Sequence, residues 1–284
     1  MNKYLYILIS LVILSSCSEY QKVLKASGEG ATAQKFKMGD SLYNAGKWAK
    51  ANRILGQIVP EYRGKPQAQK LMYLYAQTFY KMKDYYISSY RFEQFATSYP
   101  KSEKLEEASF LSAKSYYMLS PVYSKDQKET KEAIEKIQGF INQFPESEYL
   151  PEANKLVQEL DFKLEKKAFS IAKQYSDIAP GFTRDYTAAI KSFDNFLYDF
   201  PGSSLREDAL FQRLDAAYKQ AVNSIEYKRS RAEGIVHIRK ERIEATKEYS
   251  SSFLKTFANS KYIEQVNEMN RVLEEELKKY STKS

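Results

Sequence analysis

The sequence predicts an all-α protein built as a solenoid of about five helix pairs followed by a C-terminal capping helix. The 284 residues include only ten glycines and eight prolines. Apolar residues recur at three- and four-residue steps through most of the chain, and strand-like alternation is scarce. A short motif also recurs where helices are predicted to end, which is typical of helical-repeat proteins. We expect such repeats to stack into a curved rod with an extended concave face.

The chain opens with a segment typical of bacterial secretion. Lys3 precedes an apolar run from Tyr4 to Leu14, and this run is too short to remain in a bilayer as a permanent helix. The sequence Leu-Ser-Ser-Cys follows and ends at Cys17, the only cysteine. This order has the form of a lipobox, so we expect removal of residues 1–16 and lipid attachment to Cys17. The alternative is an ordinary signal peptide that happens to precede a cysteine.

Lipid on Cys17 would anchor the chain, because each buried methylene contributes about 0.8 kcal/mol and more than one acyl chain makes the anchoring stable. Ser18 stands where an aspartate would favour retention in the inner membrane, so we expect the outer membrane. No acidic cluster follows the cysteine, so we expect the periplasmic leaflet. Residues 17–30 are polar, contain glycine and lose periodicity toward their end, which predicts a lipidated tether.

The helices of the predicted repeats end on a motif with constant spacing. An aromatic residue stands four positions before a second aromatic, which is followed by proline and, two residues later, by serine. The copies are Phe95, Tyr99, Pro100 and Ser102; Phe140, Phe144, Pro145 and Ser147; and Phe196, Phe200, Pro201 and Ser203; a weakened copy is Phe253, Phe257, Ala258 and Ser260. Proline disfavours helical geometry at the preceding residue, and serine is a preferred helix N-cap. Each copy therefore predicts one helix end and the next helix start.

Small and apolar residues upstream of each copy complete a tetratricopeptide pattern. In the second repeat, for example, Ala76 and Ser88 would let two helices approach closely. This register assigns residues 31–150 to repeats 1–3, and residues 151–284 to repeats 4 and 5 and the capping helix. Two insertions interrupt the pattern, at Ser120–Gln127 and around Ser224–Gly234.

The same register predicts a groove, because the first helix of each pair lines the concave face of a tetratricopeptide array. Aromatic residues seven positions apart, or two helical turns, fall there with charged and amide side chains. The candidate groove residues are Phe36, Asp40, Tyr43, Asn44, Lys70, Tyr73, Gln77, Tyr80, Lys81, Phe110, Lys114 and Tyr117. Such a groove would suit an extended or terminal peptide segment. The alternative is that these rings pack between adjacent helices as core.

The charge distribution indicates a solvated surface rather than a nucleic-acid-binding one. After removal of residues 1–16, 43 basic residues face 36 acidic residues, a formal charge of +7, and the two signs are mixed along the chain. One basic segment lies between Lys228 and Arg242. It would dock an acidic protein surface or lipid headgroups, or it forms one solvated face of a helix.

The residues needed for familiar catalytic sites are missing from the sequence. His237 is the only histidine, which excludes a paired-histidine metal site, a Ser-His-Asp triad and a Cys-His dyad. No glycine-rich phosphate loop or dinucleotide fingerprint is present. We therefore expect neither an enzyme nor a cofactor-binding protein, apart from the covalent lipid on Cys17.

The lipobox at Cys17, the five tetratricopeptide-like units and the recurring Phe-x-x-x-Phe-Pro-x-Ser endings together resemble the BamD family of outer-membrane protein assembly lipoproteins. This resemblance covers nearly the whole mature chain. It implies a scaffold of the β-barrel assembly machinery that binds the periplasmic region of BamA and unfolded barrel precursors. In that family the N-terminal repeats are linked with precursors and the C-terminal repeats with BamA. The alternative function is a repeat lipoprotein that binds glycan or cell wall through its aromatic surface.

Overall fold

A computed structural model of the protein describes residues 19–62, 64–181, 186–224, 228–231 and 234–281. The predicted signal peptide and Cys17 lie outside the described residues. The chain divides into two compact units, with the boundary between Leu160 and Asp161. Among the described residues, no helix is both long enough and apolar enough to cross a membrane.

The described residues of the first unit are helical apart from short connections. The helices are α1 (residues 19–25), α2 (Ala31–Asn44), α3 (Trp48–Ile58), a 3-10 helix (Pro60–Tyr62), α4 (Ala68–Lys81), α5 (Tyr85–Ser98), α6 (Leu105–Leu119), α7 (Lys128–Gln143) and the first part of α8 (Leu150–Ile178). The second unit contains the rest of α8, then α9 (Thr187–Asp199), α10 (Arg206–Asn223), strands β1 (Lys228–Arg231) and β2 (Gly234–His237), α11 (Ile238–Thr256) and α12 (Ile263–Ser281).

The predicted fold class is confirmed, since the helices follow the expected order of five pairs and a closing helix. Short connections join the two helices of most pairs, which favours antiparallel neighbours. Gly39 on α2 shows why a small residue is needed at such a contact. A Cβ atom added at Gly39 would stand 2.7 Å from Cγ of Leu55 on α3, so any larger residue would push the pair apart.

The first difference from the sequence prediction concerns the segment expected to be a tether. Residues 19–25 form helix α1, and Tyr20 and Leu24 are buried in the same core cluster as Leu42 and Leu55. Val23 also packs against this cluster. The spacing of Tyr20, Val23 and Leu24 is that of one helical face, so this part of the segment packs onto the first repeat.

The second difference is a β-hairpin in the insertion after α10. Strands β1 and β2 pair antiparallel, with Lys228 opposite His237 and Arg231 opposite Gly234. The β-branched residues Ile235 and Val236 favour extended backbone. The helical interpretation of this basic segment is therefore wrong for the hairpin and right only from Ile238 onward.

The recurring motif has one geometry in all four copies. The second aromatic is the helix C-cap, and its N–H donates to the carbonyl of the first aromatic at 2.9–3.0 Å. The two rings pack at 5.3–5.5 Å. The fourth copy keeps this geometry with Ala258 in place of proline, so the helix ends at the same point of the motif without proline.

The serine of each motif has a larger role than the predicted N-cap. Its Oγ accepts the N–H two residues ahead at 3.0 Å, just before the next helix begins. In three copies the same hydroxyl donates to a glutamate on the first helix of its own pair. These bonds are Ser147 to Glu106 at 2.5 Å, Ser203 to Glu165 at 2.6 Å and Ser260 to Glu207 at 2.6 Å. In the remaining copy, Gln69 donates to Ser102 at 2.6 Å. The motif therefore links the first helix of one pair to the start of the next.

Candidate functional site

The residues predicted to line a groove lie on α2, α4 and α6, the first helices of the three pairs in the first unit. We call this set the first-helix face. It comprises Phe36, Asp40, Tyr43 and Asn44 on α2; Lys70, Tyr73, Gln77, Tyr80 and Lys81 on α4; and Phe110, Lys114 and Tyr117 on α6. Most of these side chains are partly buried, whereas Asn44, Lys70 and Lys81 are exposed.

The tyrosine rings of α4 pack against the second helix of their own pair. The Tyr73 ring meets Phe92 and Phe95 edge-on, with centroids 6.0 and 5.5 Å apart. Tyr80 likewise packs against Phe92 at 6.5 Å and against Tyr85 at 5.6 Å. Such edge contacts stabilise a core beyond simple area burial. Both rings therefore belong partly to the core, as the alternative interpretation expected, while their hydroxyls remain in the polar part of the face.

Phe110 corrects the prediction most clearly. Its side chain is only 3% exposed, and its ring stacks on Tyr149 with centroids 4.7 Å apart and an interplanar angle of 11°. It also contacts Phe140 at 5.4 Å. Phe110 is a core residue and offers no open ring to a ligand. Phe36 also packs against core, with its ring 5.6 Å from that of Tyr62.

A chain of hydrogen bonds crosses the face from α2 to α6. The Tyr43 hydroxyl donates to Oε1 of Gln77 at 3.5 Å, and Nε2 of Gln77 donates to the Tyr73 hydroxyl oxygen at 2.7 Å. Tyr73 in turn hydrogen-bonds Glu107, which accepts from Lys104 at 2.8 Å. Gln77 is 7% exposed, so its amide is held in one orientation by its two tyrosine partners.

Burial and these partners shift the ionisation of the chain. Burial raises the pKa of Tyr73 far above its usual value, and the hydrogen bond to Glu107 raises it further. Burial also acts to raise the pKa of Glu107, but hydrogen bonds from Lys104 and Tyr73 outweigh it and hold that pKa below its usual range. At neutral pH the chain therefore runs from neutral tyrosines to an ionised carboxylate.

Most charged groups of the face are already paired. Lys70 Nζ lies 3.0 Å from Asp40 and 5.6 Å from the Phe36 ring centroid. Lys114 Nζ lies 2.6 Å from Glu152 of α8. The Tyr117 hydroxyl donates to Glu159 at 2.5 Å, and this bond, together with burial, raises the pKa of Tyr117 to about 12. The first-helix face thus consists of polar groups that are already paired with each other and lie over packed rings. It is not an open groove lined by exposed aromatic rings.

The first-helix face presents hydrogen-bond donors and acceptors of the kind that an extended backbone needs. Tyrosine hydroxyls and the Gln77 carboxamide can exchange a partner for the backbone of an extended segment. The exposed Asn44 and Lys81 stand at the C-terminal ends of α2 and α4, where an amide and an ammonium can reach a peptide or carboxylate. Asn44, Lys81 and Lys70 are the residues of the first-helix face whose side chains are exposed to solvent.

The sequence analysis missed a cleft on the second helices. The cleft has a volume of about 1000 Å³ and lies among α5, α7 and the inserted loop at residues 120–127. Tyr86 and Tyr90, one helical turn apart on α5, line it and are 77% and 53% exposed. The sequence could have indicated this cleft, because Tyr86 and Tyr90 are large aromatic residues at i and i+4 outside the core positions of α5.

The inserted loop forms a well-fixed wall of this cleft. The buried side chain of Gln127 donates to the carbonyls of Val122, Lys125 and Asp126 at 2.9–3.2 Å. Its carbonyl oxygen accepts from Thr130 at 2.8 Å. One amide therefore fastens the loop to the start of α7.

The second unit repeats the packing of the first-helix rings. Phe169 on α8 meets Phe193 and Phe196 edge-on, at 5.8 and 5.7 Å, as Tyr73 meets its partners on α5. Ser176, seven residues after Phe169, takes the place of the second ring of the first three repeats and is buried. The ring of His237 packs against that of Tyr280 at 5.6 Å. Within the described ranges, no group of three or more histidine, cysteine or carboxylate side chains could hold a metal ion.

Comparison with known proteins places the chain among envelope lipoproteins. A protein of Aquifex aeolicus (strain VF5), named provisionally as outer membrane protein assembly factor BamD, is 26% identical over 254 residues, which cover 85% of this chain and 76% of that protein. The outer membrane protein assembly factor BamD of Helicobacter pylori (strain ATCC 700392 / 26695) is 25% identical over 101 residues, covering 36% of this chain and 46% of that protein.

A solved structure, the TPR2AB-domain:pHSP90-complex of yeast Sti1, covers 87% of this chain and 100% of its own at 13% identity, with a TM-score of 0.39. That score is too low to bear on function. Residues 29–179 match the YfiO family, described as outer membrane lipoprotein. Because this match spans just over half of the 284 residues, the chain belongs to the YfiO family of outer membrane lipoproteins.

Proposed function

We propose that this protein is an outer membrane protein assembly factor, a lipid-anchored scaffold that binds other proteins and catalyses no reaction. The observation that carries the proposal is membership of the YfiO family together with two relatives that bear the assembly-factor name. The paired helices support it, because stacked repeats present long surfaces suited to polypeptide partners. Its anchor would be the lipid on Cys17 in the periplasmic leaflet of the outer membrane, and it would need no other cofactor.

The partners we propose are a BamA-like barrel protein with its periplasmic domains and unfolded barrel precursors. An unfolded precursor exposes unpaired backbone groups and apolar side chains, which need polar and aromatic partners together. The first-helix face combines tyrosine hydroxyls, the Gln77 carboxamide and the exposed Lys70 and Lys81 in one unit. We assign precursor binding to this unit, which holds repeats 1–3.

We assign the BamA-like partner to the second unit, which holds repeats 4 and 5 and the capping helix α12. This unit carries the hairpin β1–β2, whereas the tyrosine chain of the first-helix face lies in the first unit. A different surface chemistry is expected to serve a different partner. The affinity purification described next, carried out with a variant that lacks the hairpin, tests whether the hairpin contacts that partner.

The proposal is tested by affinity purification of the tagged lipoprotein from detergent-solubilised outer membranes, followed by mass spectrometry. A BamA-like barrel protein should co-purify in near-stoichiometric amount, and deletion of residues 228–237 would report on the hairpin. Consistent absence of any such barrel protein, with the tagged protein intact and membrane-bound, would contradict the proposed function.

Precursor binding is tested with hydroxyl-deleting variants that keep the rings in place. Tyr43→Phe with Tyr73→Phe removes two donors from the first-helix face, and Tyr86→Phe with Tyr90→Phe is the matched control in the second-helix cleft. Each lost hydrogen bond is worth about 0.5–1.5 kcal/mol, so the affinity for a barrel-strand peptide should fall by roughly fivefold to a hundredfold in the first variant only. Equal affinity in both variants would exclude the first-helix face, and a loss confined to the control would move the site to the cleft.

Glycan or cell-wall binding is the second candidate function. The cleft favours it, because the exposed rings of Tyr86 and Tyr90 stand beside Asp126, Glu129 and Glu132. Rings and carboxylates together are suited to stacking on sugars and accepting hydrogen bonds from their hydroxyl groups. Saturable binding to purified peptidoglycan that is lost in Tyr86→Ala with Tyr90→Ala, without any barrel partner, would replace the assembly proposal.

A further inference from the structure

The first repeat and the helix before it carry a surplus of positive charge. Residues 19–53 contain seven basic and three acidic side chains, and one of those acids, Asp40, is paired with Lys70. The basic side chains are Lys22, Lys25, Lys35, Lys37, Lys47, Lys50 and Arg53. A surplus of four charges over 35 residues is more than half of the mature chain's formal surplus of seven.

Three of these lysines surround one depression. Lys37, Lys47 and Lys50 line a hollow of about 490 Å³ between α1 and the α2–α3 pair, and among the described residues Glu19 is the only acidic one in its lining. All three lysines are exposed, and in the part of the chain that the structure describes none of them forms an ion pair. Lys50 Nζ lies 5.3 Å from the ring centroid of Tyr20, so the ammonium is held over α1 without a neutralising anion.

Trp48 follows Lys47 in the sequence and is the only tryptophan of the chain. It begins α3 and is 36% exposed, so part of its ring is open to solvent at the start of this helix. Tryptophan is enriched at the boundary between water and lipid, where its apolar ring and polar N–H are both satisfied.

The predicted anchor lies next to this surface. Cys17 precedes the first residue of α1 by two positions, and two residues reach at most about 7 Å. Tyr20 and Leu24 fasten α1 to the first repeat, so no long flexible tether separates the repeat from the lipid. An acyl chain on Cys17 would therefore hold α1 at the level of the lipid headgroups.

We propose that Lys37, Lys47 and Lys50 form a docking face for anionic phospholipid headgroups in the leaflet that holds the anchor, and that Trp48, next to Lys47, reports on its approach to the lipid. The proposal rests on acylation of Cys17 but not on any protein partner. Each lysine close to an anionic surface strengthens partition roughly fivefold, and the attraction fades within a Debye length of about 8 Å at physiological salt. Three lysines beside an acyl anchor would thus give the first repeat one preferred orientation on the membrane, instead of free rotation about the anchor.

The single tryptophan provides the test. The acylated full-length lipoprotein is reconstituted into vesicles of phosphatidylethanolamine and phosphatidylglycerol that contain brominated lipid, and Trp48 fluorescence is recorded. We expect a blue shift and strong quenching, both reduced at least about twofold in phosphatidylcholine vesicles and by about 0.5 M salt, where screening is nearly complete.

The charge variant and its control complete the experiment. Lys37→Gln, Lys47→Gln and Lys50→Gln together should lower the quenching at least about twofold in anionic vesicles, because the orienting attraction is lost. Lys101→Gln, Lys128→Gln and Lys131→Gln, which remove the same charge from exposed positions elsewhere in the first unit, should leave it unchanged.

Two results would overturn the proposal. One is unquenched Trp48 in anionic vesicles while fatty-acid labelling shows Cys17 to be acylated. The other is equal quenching in anionic and neutral vesicles for all three proteins, which would mean that the anchor alone sets the position. Neither result depends on recovery of a BamA-like protein, so the assembly role is judged separately.

Discussion

Replacing Tyr73 by alanine separates the two meanings of the first-helix face, because the ring is packed while the hydroxyl belongs to the polar chain. Truncating a fully buried aromatic costs about 3–5 kcal/mol, and Tyr73 is only partly buried, so we expect about 2–3 kcal/mol from the lost ring contacts with Phe92 and Phe95. The buried amide of Gln77 also loses an acceptor, which adds about 1 kcal/mol. The free energy of unfolding of the first unit should fall by about 3–4 kcal/mol.

Urea unfolding followed by Trp48 fluorescence measures this loss, since the only tryptophan reports on the first unit. With an m value of about 1–3 kcal/mol per molar urea, the midpoint should fall by about 1–4 M. Tyr86→Ala is the matched control, because Tyr86 is 77% exposed and should change stability by less than about 0.5 kcal/mol. A loss below about 1 kcal/mol for Tyr73→Ala, or equal losses in both variants, would refute the assignment of this ring to the core.

Three further predictions test other parts of the fold. Gly39→Leu should destabilise the first unit by about 1–3 kcal/mol in the same urea assay, because a Cβ at this position has no room beside Leu55. An unchanged stability would mean that α2 and α3 can move apart at no cost. Ser203→Ala should lower the free energy of unfolding by about 1.5–3 kcal/mol, because the hydrogen bond to the Glu165 carboxylate is lost. Thermal unfolding measures this loss, with Ser204→Ala at an exposed neighbouring position as the control. Equal melting temperatures in the two variants would show that this hydrogen bond does not stabilise the fold. The folded pKa of Glu107 lies below its unfolded value of about 4.3, so its stabilising contribution is present above that pH and is lost as the pH falls through the folded pKa. Glu107→Gln should therefore reduce the fall in the urea midpoint as the pH is lowered through this range. An unchanged dependence of the midpoint on acidic pH would contradict this prediction.

The helix boundaries could be predicted because the motif encodes backbone geometry directly. Phe95, Tyr99 and Ser102 determine where one helix stops and the next begins through neighbouring residues, so no distant information is needed. Helix α1 was missed because seven residues carry too little periodicity to outweigh nearby glycines. The hairpin was missed because lysine and arginine favour a helix over a strand, and only Ile235 and Val236 favour extended backbone.

The candidate site was predicted less completely, for a reason that lies in helix geometry. The register placed Tyr73 and Phe110 at equivalent positions, yet one keeps its hydroxyl in a polar chain and the other is buried beneath Tyr149. Burial depends on the residue that the following repeat supplies, and this residue is many positions away in sequence. The pairing of Tyr117 with Glu159 and of Lys114 with Glu152 has the same origin. Local spacing identifies a helix face, but partners on other helices decide what that face presents.

The serine-to-carboxylate bonds give the chain a tolerance for added length. Ser147 and Glu106 are 41 positions apart, Ser203 and Glu165 are 38 apart, and Ser260 and Glu207 are 53 apart, yet all three bonds have nearly the same length. Each bond closes a loop of backbone whose two ends are fixed, so extra residues such as the hairpin can be inserted between them while the stacking register is preserved. A reporter peptide or a small folded module spliced into the turn between β1 and β2 should therefore be accommodated without misaligning the helices on either side.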